Sequence, residues 1–360
     1  MELQKFVDTS SNYLNLLKSK KFIIRRFYKY GLYLIKYSYD NDIDTNSYEK
    51  YCRGALIDMN TNKVVFVPPS KAIESTIIEN SIDSVQELYD GTMINLIYHN
   101  NEWLLFTRSD IGLNNKWSTK SFKIMLEESS SINYDVLNKE YTYSFVMQHI
   151  DNRNISIVNE NKLILVEVRH NLNIIDMSVV KNNFNSVINS LGFIIAEPLI
   201  PEKIESYINI LNNNTINSFN WKGLTYKKDN NRYNIINPMF ENVKELSTNT
   251  NNPLFNFVHL WKTDKLKEYL YYFRNYTSLF EKYKIILNIC IKELYDNYIK
   301  IKIKKSKDMK DVPFQLKPLI FDLHKIYLKD NNKITYNKTQ VFFKSLDSKR
   351  STFILKYYVL

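Results

Sequence analysis

The sequence predicts an α+β fold in which a β-rich N-terminal part precedes an all-α C-terminal part. Between residues 64 and 168, five short runs of β-branched and aromatic residues are bounded by Asn, Asp or Gly, which is typical of strands. Beyond residue 253, apolar residues recur every three or four positions, which is typical of amphipathic helices. The chain has 360 residues, 44% of them hydrophobic, which is enough for two domains. We expect these domains at 1–250 and 251–360, divided by the polar stretch Thr248–Asn252.

Each element rests on a local pattern. Asn100 and Asn101, between the second and third strands, predict a hairpin turn. Thr335 and Ser348 stand where the N-caps of the last two helices are expected. The predicted strands are Val64–Val67, Met93–Tyr98, Trp103–Thr107, Tyr141–Met147 and Leu163–Val168. The predicted helices are Leu3–Ser19, Lys120–Leu126, Val179–Leu191, Pro201–Asn212, Lys265–Tyr276, Leu279–Tyr298, Leu316–Leu328, Thr339–Leu346 and Lys349–Tyr358.

The basic character of the chain belongs to its C-terminal part. Residues 255–360 hold 22 Lys and Arg against 10 Asp and Glu, a net charge of +12, whereas residues 1–254 hold 27 against 28, a net charge of −1. A charge run is usually a solvated face. Here, however, tyrosines and phenylalanines interleave with the charges near residues 269–274, which favours contacts to phosphates and stacking on bases of single-stranded RNA loops. The predicted RNA-contacting residues are Lys300, Lys302, Lys304, Lys305, Lys307 and Lys310.

Composition argues against several other classes of protein. The two cysteines, Cys52 and Cys290, are far apart, which is typical of a reducing compartment rather than of a disulfide scaffold. No run of 18 apolar residues and no signal-peptide pattern occurs, so we expect a cytoplasmic, monomeric protein with no membrane partner. The five histidines lack metal-ligand spacing, so we expect no metal site. Heavy use of Asn, Ile, Lys and Tyr indicates an AT-rich genome, as in some viruses and selfish plasmids.

The most informative segment is residues 86–92, Gln-Glu-Leu-Tyr-Asp-Gly-Thr. It resembles the Lys-x-Asp-Gly signature of ATP-dependent RNA ligases, but Leu88 stands at the position of the nucleophilic lysine. In that chemistry the lysine amine attacks the α-phosphate of ATP and carries AMP. Leucine has no lone pair, so this step cannot occur at Leu88. Asp-Gly alone is a common turn dipeptide, and the flanking sequence therefore decides whether the similarity is real.

The flanking segments match the same family in order and spacing from about residue 25 to 245. Upstream, the family's Cys-Arg-Gly strand and later Pro-x-x-Lys are matched by residues 51–59 and 64–71. Downstream, the strand and glycine turn that follow the nucleotidyl lysine are matched by 104–112, the Phe-Glu stretch with its trailing Asn-Arg by 142–153, and the next strand by 162–169. The Glu-Gly and Lys-x-Lys motifs are matched by 221–225 and 232–238. The chain thus resembles RNA ligases of the bacteriophage tRNA-repair type (RNA ligase 1). The resemblance implies an antiparallel, ATP-grasp-like nucleotidyltransferase domain followed by a helical domain.

Every chemical position of that family is changed here. The resemblance implies that Leu88 replaces the nucleophile and that Val146 and Lys222 replace two glutamates. It further implies that Asn234 and Ile236 replace two lysines that hold the α-phosphate. The active site is therefore expected to be degenerate. The matching residues that remain are Arg53, Lys71, Asp90, Gly91, Arg153, Arg169 and Gly223, of which Arg53, Lys71, Asp90, Gly91 and the replacement Lys222 are the expected residues of a phosphate or nucleotide pocket.

Two lysines are candidate replacement nucleophiles. Lys50 lies in a segment that superficially resembles the signature, but Arg53 stands where its aspartate belongs. Lys71 matches a family lysine near the phosphates. A surface or phosphate-contacting role fits both better.

Four of the six glycines, Gly54, Gly91, Gly112 and Gly223, lie inside the matched motifs. A chain this poor in glycine keeps it where a positive φ or a close backbone approach requires it.

Three functions remain open at this point. The first is a non-catalytic relative of RNA ligases that binds and shields RNA, namely tRNA or its cleaved anticodon loop. Such a protein could provide immunity against a tRNA-cleaving toxin, and it is expected to need no cofactor. The second is an active ATP-dependent RNA ligase with relocated catalytic groups, which would need ATP and Mg²⁺. The third is a protein-binding scaffold that uses the old nucleotide pocket.

Overall fold

In the computed structural model of the chain, the described residues are 1–38, 41–79, 82–116, 119–213, 216–248, 250 and 252–359. The chain forms two compact units, Met1–Asn242 and Val243–Leu360. The boundary expected within 248–252 falls partly on residues 249 and 251, which lie outside the described residues. The fold is α+β, with sheets in the first unit and helices in the second, as the sequence predicts.

The described residues hold 14 strands and 12 α-helices. The strands are β1 (Ile23–Phe27), β2 (Leu32–Lys36), β3 (Ala55–Asp58), β4 (Val64–Phe66), β5 (Ile73–Glu74), β6 (Ser84–Glu87), β7 (Thr92–His99), β8 (Glu102–Phe106), β9 (Tyr141–Gln148), β10 (Lys162–His170), β11 (Asn173–Ile175), β12 (Ile194–Ile195), β13 (Gly223–Lys228) and β14 (Asn231–Ile236). The helices are α1 (Glu2–Thr9), α2 (Tyr13–Ser19), α3 (Phe122–Ser129), α4 (Met177–Phe184), α5 (Pro201–Asn213), α6 (Pro238–Glu245), α7 (Pro253–Lys262), α8 (Leu266–Tyr272), α9 (Thr277–Tyr298), α10 (Lys317–Asp330), α11 (Tyr336–Ser345) and α12 (Ser348–Val359).

The strands of the first unit form three sheets. The first is antiparallel, in the order β1-β2-β3-β4. The second has the order β11-β10-β9-β7-β8, with β12 added parallel to β10. The third has the order β5-β14-β13-β6, in which β5 runs parallel to β14 and the other pairs are antiparallel. Most neighbours are therefore antiparallel, as the resemblance implies.

The first and second sheets share one hydrophobic core, which includes Phe66 and Phe106, and each has a further core on its helix-covered side. Helices α1 and α2 cover the first sheet through Leu3 and Leu17, which are fully buried. Helices α3 and α4 cover the second sheet, where Phe145 is fully buried. The helical unit has a separate core, which contains buried residues of α7, α9, α10 and α12, among them Phe257. Burial of such side chains contributes roughly 1.5–3 kcal/mol each, so these cores fix the sheet positions that build the cleft described below.

Several predicted elements differ in detail. The helix expected at Leu3–Ser19 is two helices, because Ser10, Ser11 and Asn12 favour a turn, with the Tyr13 N–H donating to the Ser10 carbonyl at 3.1 Å. The helix expected at Val179–Leu191 is α-helical only as far as Phe184, the last residue of α4, and residues Asn185–Ser190 form 3₁₀ turns.

Thr335 is the N-cap of α11, since its hydroxyl accepts from the Lys338 N–H at 3.2 Å. The prediction that Ser348 is the N-cap of α12 is wrong. Asp347 takes that role, because its carboxylate accepts from the N–H groups of Lys349 and Arg350 at 2.8 and 3.2 Å. Asn100 and Asn101 form the hairpin turn between β7 and β8 with φ of 48° and 64°, as predicted.

None of the helices within the described residues has the length and apolar character needed to cross a bilayer.

Candidate functional site

A cleft of about 710 Å³ lies in the N-terminal unit. Strands of all three sheets contribute to it, so its lining is assembled from distant parts of the sequence. Among the described residues, ten basic side chains and two acidic ones line it, which makes the cleft strongly attractive to anions. The basic residues are Arg25, Lys36, Arg53, Lys71, Arg108, Lys116, Arg153, Lys222, Lys227 and Arg232, and the acidic residues are Glu87 and Glu167.

The signature segment lies on the wall of this cleft. Leu88 follows β6, is 6% exposed and lines the cleft, and its N–H donates to the Gly223 carbonyl at 2.8 Å. Gly91 also lines it and lies so close to β9 that an added Cβ would approach the Met147 carbonyl oxygen to 2.5 Å. Glycine is therefore required there by close packing. The segment places an apolar side chain where the resemblance expects a nucleophile.

Asp90 shapes the turn. Its Oδ2 accepts hydrogen bonds from the N–H groups of Ile155 and Ser156 at 2.7 and 3.1 Å, and its Oδ1 lies 3.9 Å from the Nζ of Lys222. Lys222 Nζ also donates to the Tyr89 carbonyl at 3.4 Å. Asp90 itself is not among the lining residues. Its carboxylate holds the loop after β9 against the signature segment.

The other changed positions converge on the same cleft, with one exception. Val146 on β9 and Asn234 on β14 line it together with Lys222, which directly precedes β13. Asn234 Oδ1 is buried and accepts no hydrogen bond from any described residue. Ile236 is not among the lining residues. It lies two positions further along the same strand, opposite Gly223.

Four of these basic residues, Arg25, Lys36, Arg53 and Arg108, lie close enough to influence one another electrostatically. Lys36 Nζ donates to Ser109 Oγ at 3.1 Å, and Arg25 donates to the Ser109 carbonyl at 2.6 Å. Burial, together with Arg25 and Arg108, lowers the pKa of Lys36. Burial and the nearby Arg53 likewise lower the pKa of Arg108. Mutual repulsion of this kind is relieved when an anion binds among the cations.

The cleft also contains an ionic cluster in which one carboxylate is paired with basic groups. Glu167 Oε1 accepts from the Nε and Nη2 of Arg169 at 2.8 and 2.7 Å, and its Oε2 accepts from Lys227 Nζ at 2.9 Å. Burial alone would raise the pKa of Glu167, but Arg169, Lys227 and Arg232 outweigh it and lower that pKa to about 2. Both oxygens of this carboxylate are thus already engaged.

The second lining carboxylate is also engaged. Burial raises the pKa of Glu87, and the Tyr207 hydroxyl donates to its Oε2 at 3.4 Å. Magnesium in proteins is held by carboxylate and phosphate oxygens. Glu167 cannot offer such oxygens without losing its present partners, and Glu87 is the one other carboxylate among the described lining residues.

Of the two lysines considered as replacement nucleophiles, one is in the cleft. Lys71 lines it, and its N–H donates to the Lys50 carbonyl at 2.8 Å. Lys50 is 3% exposed, and its Nζ donates to Asn231 Oδ1 at 3.1 Å and lies 3.4 Å from a Glu2 carboxylate oxygen. The expectation that Lys50 is a surface or phosphate-contacting lysine is therefore wrong, because the side chain is buried within the fold.

Sequence reasoning missed most of the cations of the cleft. Arg25, Lys36, Lys227 and Arg232 lie on strands that the sequence did not predict, since these strands are short and carry charged residues within them or at their ends. A charged residue at a partly buried strand position, such as Arg232, is the signal that could have revealed the cleft in part. Glu167 shows the same signal as a single carboxylate within the apolar strand β10.

The basic run of the C-terminal unit follows α9. Lys300, Lys304 and Lys305 are exposed. Three others have intramolecular contacts: Lys302 Nζ lies 4.7 Å from the ring centre of Phe321, Lys307 donates to Asn297 Oδ1 at 2.8 Å, and Lys310 lies 3.4 Å from Asp308. The six lysines predicted to contact RNA therefore differ in how readily they reach a ligand.

One cluster has potential metal ligands among the described residues. Glu128, His149 and Asp151 present ligand atoms within 4.8 Å of one another. Lys120 Nζ lies 2.8 Å from Glu128 and 2.9 Å from Asp151, so an ammonium group already bridges the two carboxylates. The geometry favours a surface ion-pair network.

No protein-family model matches the sequence, and no curated protein matches it. Solved structures do show similarity. A putative ATP-dependent DNA ligase from Aquifex aeolicus is 15% identical, with a TM-score of 0.46, over 76% of this chain and 80% of that one. Two structures of an archaeal ATP-dependent RNA ligase, form 1 and form 2, are each 11% identical to this chain with a TM-score of 0.49. The match to form 1 covers 78% of this chain and 72% of the ligase, and the match to form 2 covers 71% of this chain and 67% of the ligase. At these levels of identity, the similarity carries no conclusion about activity.

Proposed function

We propose that this chain is a catalytically degenerate, RNA-ligase-like protein that binds RNA without forming a covalent intermediate. The observation that carries the proposal is the position of Leu88. It lines a cleft whose described lining has ten cations and only two carboxylates, of which Glu167 has both oxygens paired with cations. Such a cleft attracts phosphate groups and lacks a nucleophile at the expected position.

The cleft suits an anion better than a metal–nucleotide complex. Lys222 puts a positive charge at a position where the resemblance implies a glutamate, so the local charge is inverted relative to a working ligase. The cations at Arg25, Lys36, Arg53 and Arg108 repel a divalent ion and attract a phosphate. A terminal phosphate of RNA fits this arrangement, and Lys71 and Lys222 extend it along the cleft.

The RNA we propose is tRNA or its cleaved anticodon loop, held in the cytoplasm. The net charge of +12 in residues 255–360 supports a second, electrostatic contribution from the helical unit. Binding of cut ends would shield them from further processing, and in an AT-rich virus or plasmid this would serve as immunity against a tRNA-cleaving toxin. This biological role is an analogy drawn from the fold and the composition.

One observation favours the second function, an active ligase with relocated groups. Lys36 lies in the cleft and its pKa is lowered by burial and by Arg25 and Arg108. A lysine beside other cations is neutral more often and is therefore a better nucleophile.

The experiment that tests the proposal compares binding with and without the ligase cofactors. Affinity for 5′-phosphorylated RNA is measured by fluorescence anisotropy in EDTA and again in Mg-ATP. We expect equal affinity in both buffers and weaker affinity for the 5′-hydroxyl RNA. No binding in EDTA, with binding restored by Mg-ATP, would contradict the proposal and favour the active ligase.

A further inference from the structure

Three exposed aromatic side chains of the C-terminal unit form a group in which one ring contacts the other two. Phe314, Phe353 and Tyr357 are 62%, 60% and 53% exposed. The ring centres of Phe314 and Phe353 are 6.4 Å apart, and those of Phe314 and Tyr357 are 6.0 Å apart, with the planes at 69° and 89°. We call these three residues the aromatic triad. Large rings are expensive to leave in water, so a contiguous exposed group of them marks a contact surface.

The helical repeat of α12 creates this surface. Phe353 and Tyr357 are four residues apart and so lie on one face of the helix. The other face carries Ile354 and Leu355, which are buried in the core of the unit. Phe314 reaches the rings from the segment that precedes α10. The packing of α12 is therefore complete without the triad, whose rings stay available.

Positive charge borders the triad. Lys349 is four residues before Phe353 and Lys356 is three residues after it, so both share its face, and both are exposed. Helix α12 has three basic residues and no acidic one. Rings interleaved with ammonium groups are the combination that binds single-stranded nucleic acid, since bases stack on the rings and phosphates meet the cations.

We infer that the aromatic triad is a stacking platform for the bases of single-stranded RNA. This inference rests on the proposed function and adds a site that the basic run at 300–310 does not include. The charge around the rings favours RNA over a protein partner, because protein contact surfaces are depleted in lysine. Base stacking differs from phosphate contact in a measurable way: it depends on the bases and little on salt.

The test uses the full chain and an unstructured 5′-hydroxyl oligoribonucleotide, so that no terminal phosphate enters the cleft. We expect the double variant Phe353→Ala/Tyr357→Ala to bind roughly 5- to 100-fold more weakly, with the salt dependence unchanged. Phe353→Trp should retain wild-type affinity. Val341→Ala, a 63% exposed apolar position on α11, is the matched control and should bind as wild type does. An abasic oligomer of equal length should not distinguish wild type from the double variant.

The outcomes separate the inference from the proposed function. If wild type binds neither this oligomer nor 5′-phosphorylated RNA, the proposed function fails and the inference falls with it. If wild type binds 5′-phosphorylated RNA but not this oligomer, the platform is wrong while the proposed function stands. If wild type binds RNA and the double variant binds equally well, the platform is wrong while the proposed function stands. If RNA affinity is equal but the double variant alone loses self-association in sedimentation velocity, the triad is a contact between copies of this chain, which also overturns the inference.

Discussion

The N–H of Leu88 donates to the carbonyl oxygen of Gly223 at 2.8 Å. This bond joins the end of β6 to the start of β13, and it holds the Leu88 side chain against the cleft beside Lys222. Two positions that the resemblance assigns to a nucleophile and a glutamate are therefore adjacent in space, and both carry residues that cannot perform those roles.

Restoring the nucleophile alone is predicted to fail. Leu88→Lys should form no covalent AMP adduct, because Val146, Lys222 and Asn234 still line the cleft in place of two glutamates and a lysine. Catalytic groups act as a unit, so returning one of them does not return a share of the rate. The measurement is a denaturing gel after incubation with α-labelled ATP and Mg²⁺. Appearance of a label in the variant would show that the remaining groups suffice.

Glu167→Gln is predicted to destabilise the N-terminal unit by about 3–5 kcal/mol, because it leaves Arg169, Lys227 and Arg232 without their buried counter-charge. Urea unfolding followed by tryptophan fluorescence measures the change. Glu160→Gln is the control, since that exposed carboxylate pairs only with Lys162, at 3.0 Å, among the ion pairs of the described residues. Equal midpoints for wild type and Glu167→Gln would contradict this account.

The same carboxylate predicts a dependence on pH. The folded pKa of Glu167 is lowered to about 2 from an ordinary value of 4.5. Its stabilisation is therefore full above pH of about 5 and is lost as the pH falls towards 2, because the unfolded state then binds the proton more readily. The difference in unfolding free energy between wild type and Glu167→Gln should shrink over that range. A difference that stays constant from pH 7 to pH 3 would show that the charge is not responsible.

Arg25→Ala is predicted to weaken binding of 5′-phosphorylated RNA by roughly tenfold, since a hydrogen bond to a charged group is worth about 1.5–3 kcal/mol. Arg26→Ala is the matched control. The two residues are neighbours on β1, but Arg25 lines the cleft and Arg26 is not among its lining residues. The measurement is fluorescence anisotropy with labelled RNA. Equal losses in both variants would mean that the effect is one of net charge and not of the cleft.

The basic run is predicted to contribute through phosphate contacts. The triple variant Lys300→Ala/Lys304→Ala/Lys305→Ala should flatten the slope of log affinity against log salt by about 2 units if most of these lysines meet phosphate. The control variant Lys329→Ala/Lys333→Ala/Lys338→Ala removes the same charge from other exposed positions of this unit. A salt titration of tRNA binding compares them. If both triple variants flatten the slope equally, the run has no special role.

The sequence predicted the signature segment and the helical unit well but the cleft only in part. Leu88 and Gly91 were found because a linear motif holds them together. Arg25 and Lys36 were missed, because pairing of β1 with β2 and the meeting of three sheets bring them to the cleft. Lys50 was misjudged, since nothing in its own segment reveals that Asn231, 181 residues away, covers it. The role of a residue that depends on contacts with distant strands cannot be predicted from the local sequence pattern.

The most direct test of the central claim is whether wild-type protein forms a covalent nucleotide adduct. The protein is incubated with α-labelled ATP and Mg²⁺, denatured, and separated on a gel, and any label is challenged with hydroxylamine. The absence of a nucleophile at Leu88 predicts no labelled band, with RNA binding intact in the same preparation. A hydroxylamine-sensitive label on Lys36, Lys71 or any other lysine would contradict the account and show an active nucleotidyltransferase.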